Sequence, residues 1–226
     1  MKTPTEAYRL QKQRWPAQGR HILAHFDETS VVVYQAYRPA IGHFAARNGT
    51  FGGEFSLSRM SWFKPNFLWM MYRSGWGTKE NQEVTLAIRI KRSFFESVLA
   101  QAVASSYDAE VYGEMEDWKR AVASSSVRLQ WDPDHSPSGG SLQRRAIQLS
   151  LRGQTLEEYV REAIIEIEDI SPFVQEQRLN AQLEHYEKLM LPVERVFVPG
   201  QTEVAAKLRL SSPTLSKTEA PDDAIE

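Results

Sequence analysis

The sequence predicts an α+β fold: a mixed or split β-sheet flanked by helices within a single domain. Three observations support this. Val84, Leu86, Ile88 and Ile90 alternate with Thr85, Ala87, Arg89 and Lys91, the period of a strand with one covered face. Leu156, Tyr159, Val160, Ala163, Ile164 and Ile167 recur at helical spacing behind a Thr155–Glu158 capping box. Strands and helices also mix without the strict alternation that a doubly wound sheet requires.

Taken in order, residues 1–19 are rich in Gln, Lys and Arg and interrupted by Pro4 and Pro16, so a mobile or loosely docked polar arm is expected. The α+β domain is expected over 20–199. Residues 29–37 are β-branched and aromatic and predict a strand, and Pro39 opens a short helix that ends at Asn48-Gly49. A Gly-rich turn follows, then a loop, a strand over 67–73 and a second loop over 74–81. The alternating 84–91 strand leads into a helix from Ser93 to about Ser105, and another short helix covers 114–123. Residues 127–132 and 145–151 alternate as strands around a Pro/Gly/Ser loop. The best-patterned helix runs 155–170. Ser171-Pro172 starts a second one reaching about Met190. A last strand is expected over 192–198, and 200–226 reads as a polar, largely disordered tail.

With 226 residues, 42% hydrophobic and 25% charged, the chain can bury one substantial core. A formal charge of −2 gives no global basic field, so nucleic-acid binding would rest on a local patch. The lack of cysteine removes disulfides, thiolate metal sites and cysteine nucleophiles. Without an apolar leader or a membrane-length run, the reading is a soluble, cytoplasmic protein with no membrane partner.

One stretch, from Arg59 to Lys79, combines aromatics, cations, glycines and hydroxyls beyond what a buried strand needs. Arg59, Lys64, Arg73, Gly75, Gly77 and Lys79 form that surplus. Arg73, Ser74, Trp76, Thr78 and Lys79 could cradle a phosphate through backbone N–H groups and cations, with Tyr72 or Trp76 stacking a ring. The alternative is a rigid turn carrying surface cations. The spacing lacks the first glycine of a P-loop. Arg145 opens the strand carrying Gln148 and could grip a phosphate. Tyr34, Gln35, Gln130 and Gln148 are polar groups inside strand patterns, whose partners are either a ligand or a network that fixes register. Neither a metal motif nor a Gly-x-Ser-x-Gly elbow is present, and no metal is expected.

The strings Val33-Tyr-Gln-Ala-Tyr37, Phe63 to Lys79, Gln130-Trp-Asp-Pro-Asp-His135, Arg145-Ala-Ile-Gln148 and Leu191-Pro-Val-Glu194 together resemble a bacterial and fungal family of unknown function, domain-of-unknown-function 4291. The resemblance covers about residues 20–199 and implies no reaction. A fainter one links Pro192 to Pro199 with the late strand of ADP-ribosyltransferases, which carries a catalytic glutamate. It implies Glu194 as that residue, with Tyr34 and Gln148 beside it and NAD as substrate. A carboxylate there would stabilise the oxocarbenium character that develops as nicotinamide leaves. The Ser-Thr-Ser triplet and paired Glu-x-Glu of such enzymes are missing. The implied partners are a nucleotide-like small molecule and an acceptor, protein or nucleic acid. A non-catalytic nucleotide or single-strand binding module, or a protein-interaction domain, is the alternative.

Overall fold

A computed structural model describes residues 2–212. The chain begins with β1 (Thr5–Ala7) and α1 (Tyr8–Lys12), then β2 (Gly19–Arg20), β3 (Ile22–Phe26) and β4 (Ser30–Tyr37). Helix α2 (Pro39–Asn48) has Pro39 in its first turn and ends on Gly49 at φ 66°, a left-handed conformation that glycine adopts without a Cβ penalty. A long loop leads to β5 (Ser61–Phe63) and α3 (Phe67–Ser74), followed by β6 (Val84–Lys91), α4 (Arg92–Gln101) and β7 (Val103–Ala104). Two small helices, α5 (Ala109–Tyr112) and α6 (Met115–Ser124), precede the long strands β8 (Val127–His135) and β9 (Ser141–Leu151). Then come α7 (Gly153–Glu158), a π-turn at Tyr159–Ala163, β10 (Ile164–Asp169), α8 (Ser171–Arg178), β11 (Met190–Pro192), β12 (Arg195–Phe197) and α9 (Thr202–Lys207).

The strands make two five-stranded sheets and a small two-stranded one, so the fold is α+β. In the first large sheet the order is β10-β6-β4-β3-β12, and all its pairs are antiparallel. In the second the order is β2-β9-β8-β7, with β5 added on β9. Leu86, Ile88 and Ile90 of β6 and Leu149 and Leu151 of β9 are buried in one core that both sheets share. A second apolar layer covers the other face of the first sheet, where Tyr34, Phe67, Met71 and Val174 pack together. Helix α3 belongs to this second layer.

Several expectations are corrected. The N-terminal arm is docked: β1 pairs with β11, and Thr3, Tyr8, Gln11 and Trp15 are buried. Residues 67–73 form a helix, because Asn66 accepts the Trp69 N–H (2.6 Å) as N-cap and Gly75 closes the end at φ 58°. The 155–170 helix stops at Ala163, and Ile164–Asp169 instead pairs with β6, completing that sheet's edge. Thr155 is not its cap. The helix begins at Gly153, and the Thr155 hydroxyl meets Ser126 (2.6 Å). The helix expected to reach Met190 ends at Arg178. The last strand is broken at Val193–Glu194 into β11 and β12, and Val198, expected as its final residue, lies beyond β12 and is 53% exposed. Of the expected tail, Thr202–Lys207 is helical with Val204 and Leu208 buried, while residues 213–226 lie outside the described residues.

Candidate functional site

A cavity of about 770 Å³ opens where the long 49–60 loop, β5, α3 and the strands β8 and β9 converge. That volume suits a small-molecule ligand. Its charged lining comprises Arg38, Arg59, Lys64, Arg73 and Glu54. Arg38 pairs with Glu54 (2.5 Å), whereas among the described residues the Arg59 and Arg73 side chains enter no ion pair. The wall is therefore cationic. Gln130 and Gln148 form its polar side, and their amides donate to the two oxygens of Asp132 (2.8 and 2.7 Å). Trp62 adds an aromatic wall.

Lys64 is the unusual member. Its backbone is fixed by reciprocal hydrogen bonds with Tyr34 (Lys64 N–H to Tyr34 O, 3.0 Å; Tyr34 N–H to Lys64 O, 2.7 Å). Its residue is only 5% exposed, and its ammonium has no hydrogen-bond or ion-pair partner among the described residues. Buried ammonium groups are ordinarily paired. Burial first and the nearby Arg73 charge second, opposed by Asp132, together bring its pKa down to about 8.

The residues singled out in the sequence divide into separate groups. Gln148 and Arg73 line the cavity. Arg145 does not; it is exposed at a second cleft of about 410 Å³ bordered by Arg20 and Trp131. Ser74 is wholly buried, donates to Met70 O (3.0 Å) and accepts the Gly77 N–H, so it closes the C-terminus of α3. Thr78 donates to Gly75 O (2.7 Å) and Lys79 to Arg73 O (2.9 Å), completing the same cap. Trp76 is 9% exposed, donates to Pro137 O (3.1 Å) and packs edge-on against Phe67. Tyr72 stacks on His135 with ring centroids 3.4 Å apart. The expected phosphate loop is thus the tightly bonded end of a helix.

Glu194 and Tyr34 lie outside the cavity lining, within the second apolar layer. Glu194 is 3% exposed and accepts the Phe67 N–H (2.7 Å) and, at longer range, the Asn66 amide (3.4 Å). Its own backbone is held by Gln11, which accepts the Glu194 N–H (2.8 Å), and by Trp15, which donates to Glu194 O (3.0 Å). Burial raises its carboxyl pKa well above the usual range; the Phe67 N–H opposes this, Asp134 adds to it and Arg144 opposes it. Tyr34 is fully buried edge-on to Phe67, and its hydroxyl lacks a partner among the described residues. Its pKa is raised by burial and then by Glu194, so these two groups are neighbours. Gln35, not Tyr34, anchors a buried network, donating to Tyr37, Ser61 and Trp62 O while accepting from Tyr159.

A family model matches residues 21–197. The chain belongs to the DUF4291 family, a domain of unknown function. Every lining residue of the cavity falls within the DUF4291 span, whereas Gln11 and Trp15, which seal Glu194, lie before it. No curated protein matches the chain. What sequence reasoning left without a role in this DUF4291 chain is Lys64, along with Asp132, which reads as the end of the 127–132 strand. A signal for Lys64 was present. Ser61 and Phe63 point into the core, so period two places Trp62 and Lys64 together on the opposite face.

Proposed function

We propose that this DUF4291 domain binds a small phosphate-bearing, nucleotide-like molecule in the cavity between β5 and α3. The observation that carries this reading is Lys64: a lysine only 5% exposed whose ammonium, like the Arg59 and Arg73 side chains of the same cavity, enters no ion pair among the described residues. Three like charges held together, with Glu54 taken up by Arg38 and Asp132 by two glutamine amides, favour an anion that can accept from all of them. Trp62 offers a face for a ring, and Gln130 and Gln148 offer amide edges.

In its enzymatic form the reading makes NAD the bound molecule and ADP-ribosyl transfer to a protein, nucleic acid or small molecule the reaction. The carboxylate near the reacting ribose would then be Asp132, beside Gln148, because Glu194 serves the first turn of α3. Calorimetry with ATP, ADP, NAD and pyrophosphate tests binding, and nicotinamide release tests the chemistry. Arg73→Ala is expected to weaken the best ligand about tenfold, the loss of one charge-assisted hydrogen bond. Absence of heat with all four, or affinity indifferent to Arg73→Ala, rejects the cavity as the site.

A further inference from the structure

A binding pocket needs cations at its surface, and Arg59 and Arg73 supply them. It does not need a lysine withdrawn from solvent, which costs stability unless that amine has a task. Lys64 sits on backbone bridged to Tyr34 and followed at once by Pro65 and the N-cap Asn66, so its side chain is launched into the cavity from a fixed point. The charged groups that share its cavity are Arg73 on α3, Arg38 after β4, and Arg59 and Glu54 on the 49–60 loop, and Asp132 on β8 acts on it electrostatically. Glu54 is engaged by Arg38, and Asp132 by Gln130 and Gln148, so neither carboxylate claims the amine.

We propose that Lys64 is a covalent nucleophile that forms an imine with the carbonyl group of an anionic aldehyde or ketone, whose phosphate or carboxylate is held by Arg73 and Arg59. This rests on the anion-binding reading and names the substrate class for it. The neutral amine adds its lone pair to the carbonyl carbon, and the carbinolamine so formed loses the carbonyl oxygen as water together with the two amine hydrogens. A carbon–nitrogen double bond replaces the carbon–oxygen one. No oxidant or reductant enters. The site supports both halves of the step: its cations attract the anion, and burial, helped by Arg73, disfavours the ammonium form of Lys64 so that a share of the amine carries a free lone pair near neutral pH.

The test is trapping on the intact protein. Pyridoxal 5′-phosphate, a phosphorylated aldehyde, is added below stoichiometry, the imine is reduced with borohydride, and the modified peptide is mapped by mass spectrometry. The expected result is modification at Lys64 at least tenfold faster than at exposed Lys119, half-maximal near pH 8, suppressed by inorganic phosphate and slowed in Arg73→Gln. Label confined to surface lysines overturns the imine. If phosphate binding sensitive to Arg73→Gln persists in that case, the anion reading stands without it; if it does not, both fall. Equal labelling of Lys64 by pyridoxal lacking the phosphate overturns the anionic substrate class.

Discussion

Lys64 and Glu194 stand on either side of the same turn and are 5% and 3% exposed, yet their surroundings differ in kind. Glu194 lies beneath the first turn of α3 with both carboxylate oxygens engaged and its backbone held by Gln11 and Trp15. Lys64 faces a cavity with its amine unengaged among the described residues. Burial alone does not separate structure from chemistry; the distinction is whether the protein itself supplies the partner. A buried group with its bonds filled holds an element in place, and one left unfilled beside an opening is available to a ligand.

The sharpest way to probe that distinction is a third buried charge whose partners the protein itself supplies. Arg144 donates to Asp134 (2.7 Å) and to Pro16 O (2.7 Å), with its guanidinium over the Trp15 ring. Arg144→Ala leaves Asp134 buried and uncompensated and is expected to cost about 3–5 kcal/mol in urea unfolding. Next, Glu194→Ala should cost about 2–3 kcal/mol, since the Phe67 N–H and Asn66 amide lose their acceptor. Lys64→Met runs the other way: replacing an unpaired buried ammonium with an apolar chain of similar length should leave stability unchanged or raise it by about 1 kcal/mol, while anion affinity falls. A destabilisation as large as that of Glu194→Ala would erase the contrast.

The gentlest substitution is Glu194→Gln, which keeps an acceptor for Phe67. The folded pKa of Glu194 is raised, so the folded state holds its proton more tightly than the unfolded chain does. The stability this contributes is complete below the ordinary glutamate value of about 4.3 and is lost as pH rises through the folded pKa. Glu194→Gln lacks that loss, so its stability relative to the parent should climb as pH rises above about 4.3, with anion binding intact. A difference flat in pH would mean that the carboxyl titrates normally.

The strands that alternate cleanly were legible from sequence. Val84–Lys91 has the bounds that the pattern predicts, and Val127 and Leu151 mark the right ends of their strands. Phe67–Ser74 was misread because all of Phe67–Met71 is buried, leaving no polar face to display a helical period; the helix is written instead in its ends, Asn66 and Gly75. Ile164–Asp169 continues a helical pattern in sequence but meets the open edge of β6, and backbone pairing there overrides local preference. Of the residues that type alone singled out, Arg73 and Gln148 line the cavity. The place of Glu194 beneath the first turn of α3 was not legible, because whether a buried carboxyl meets a helix N-terminus or an open cavity depends on segments far away in sequence.

Those distant segments bear on how the molecule is made. Gln11 and Glu194 are 183 positions apart, and Tyr8 and Val193 find their backbone partners in Leu189 and Pro4. Contacts of such separation close very large loops, which is slow and comes late. During synthesis, residues 4–11 leave the ribosome long before Leu189 to Glu194, the segment that supplies their backbone partners. The covering of the α3 layer is therefore fastened only after the full domain exists, and a nascent chain stalled earlier would expose Trp15 and Tyr8 to chaperones.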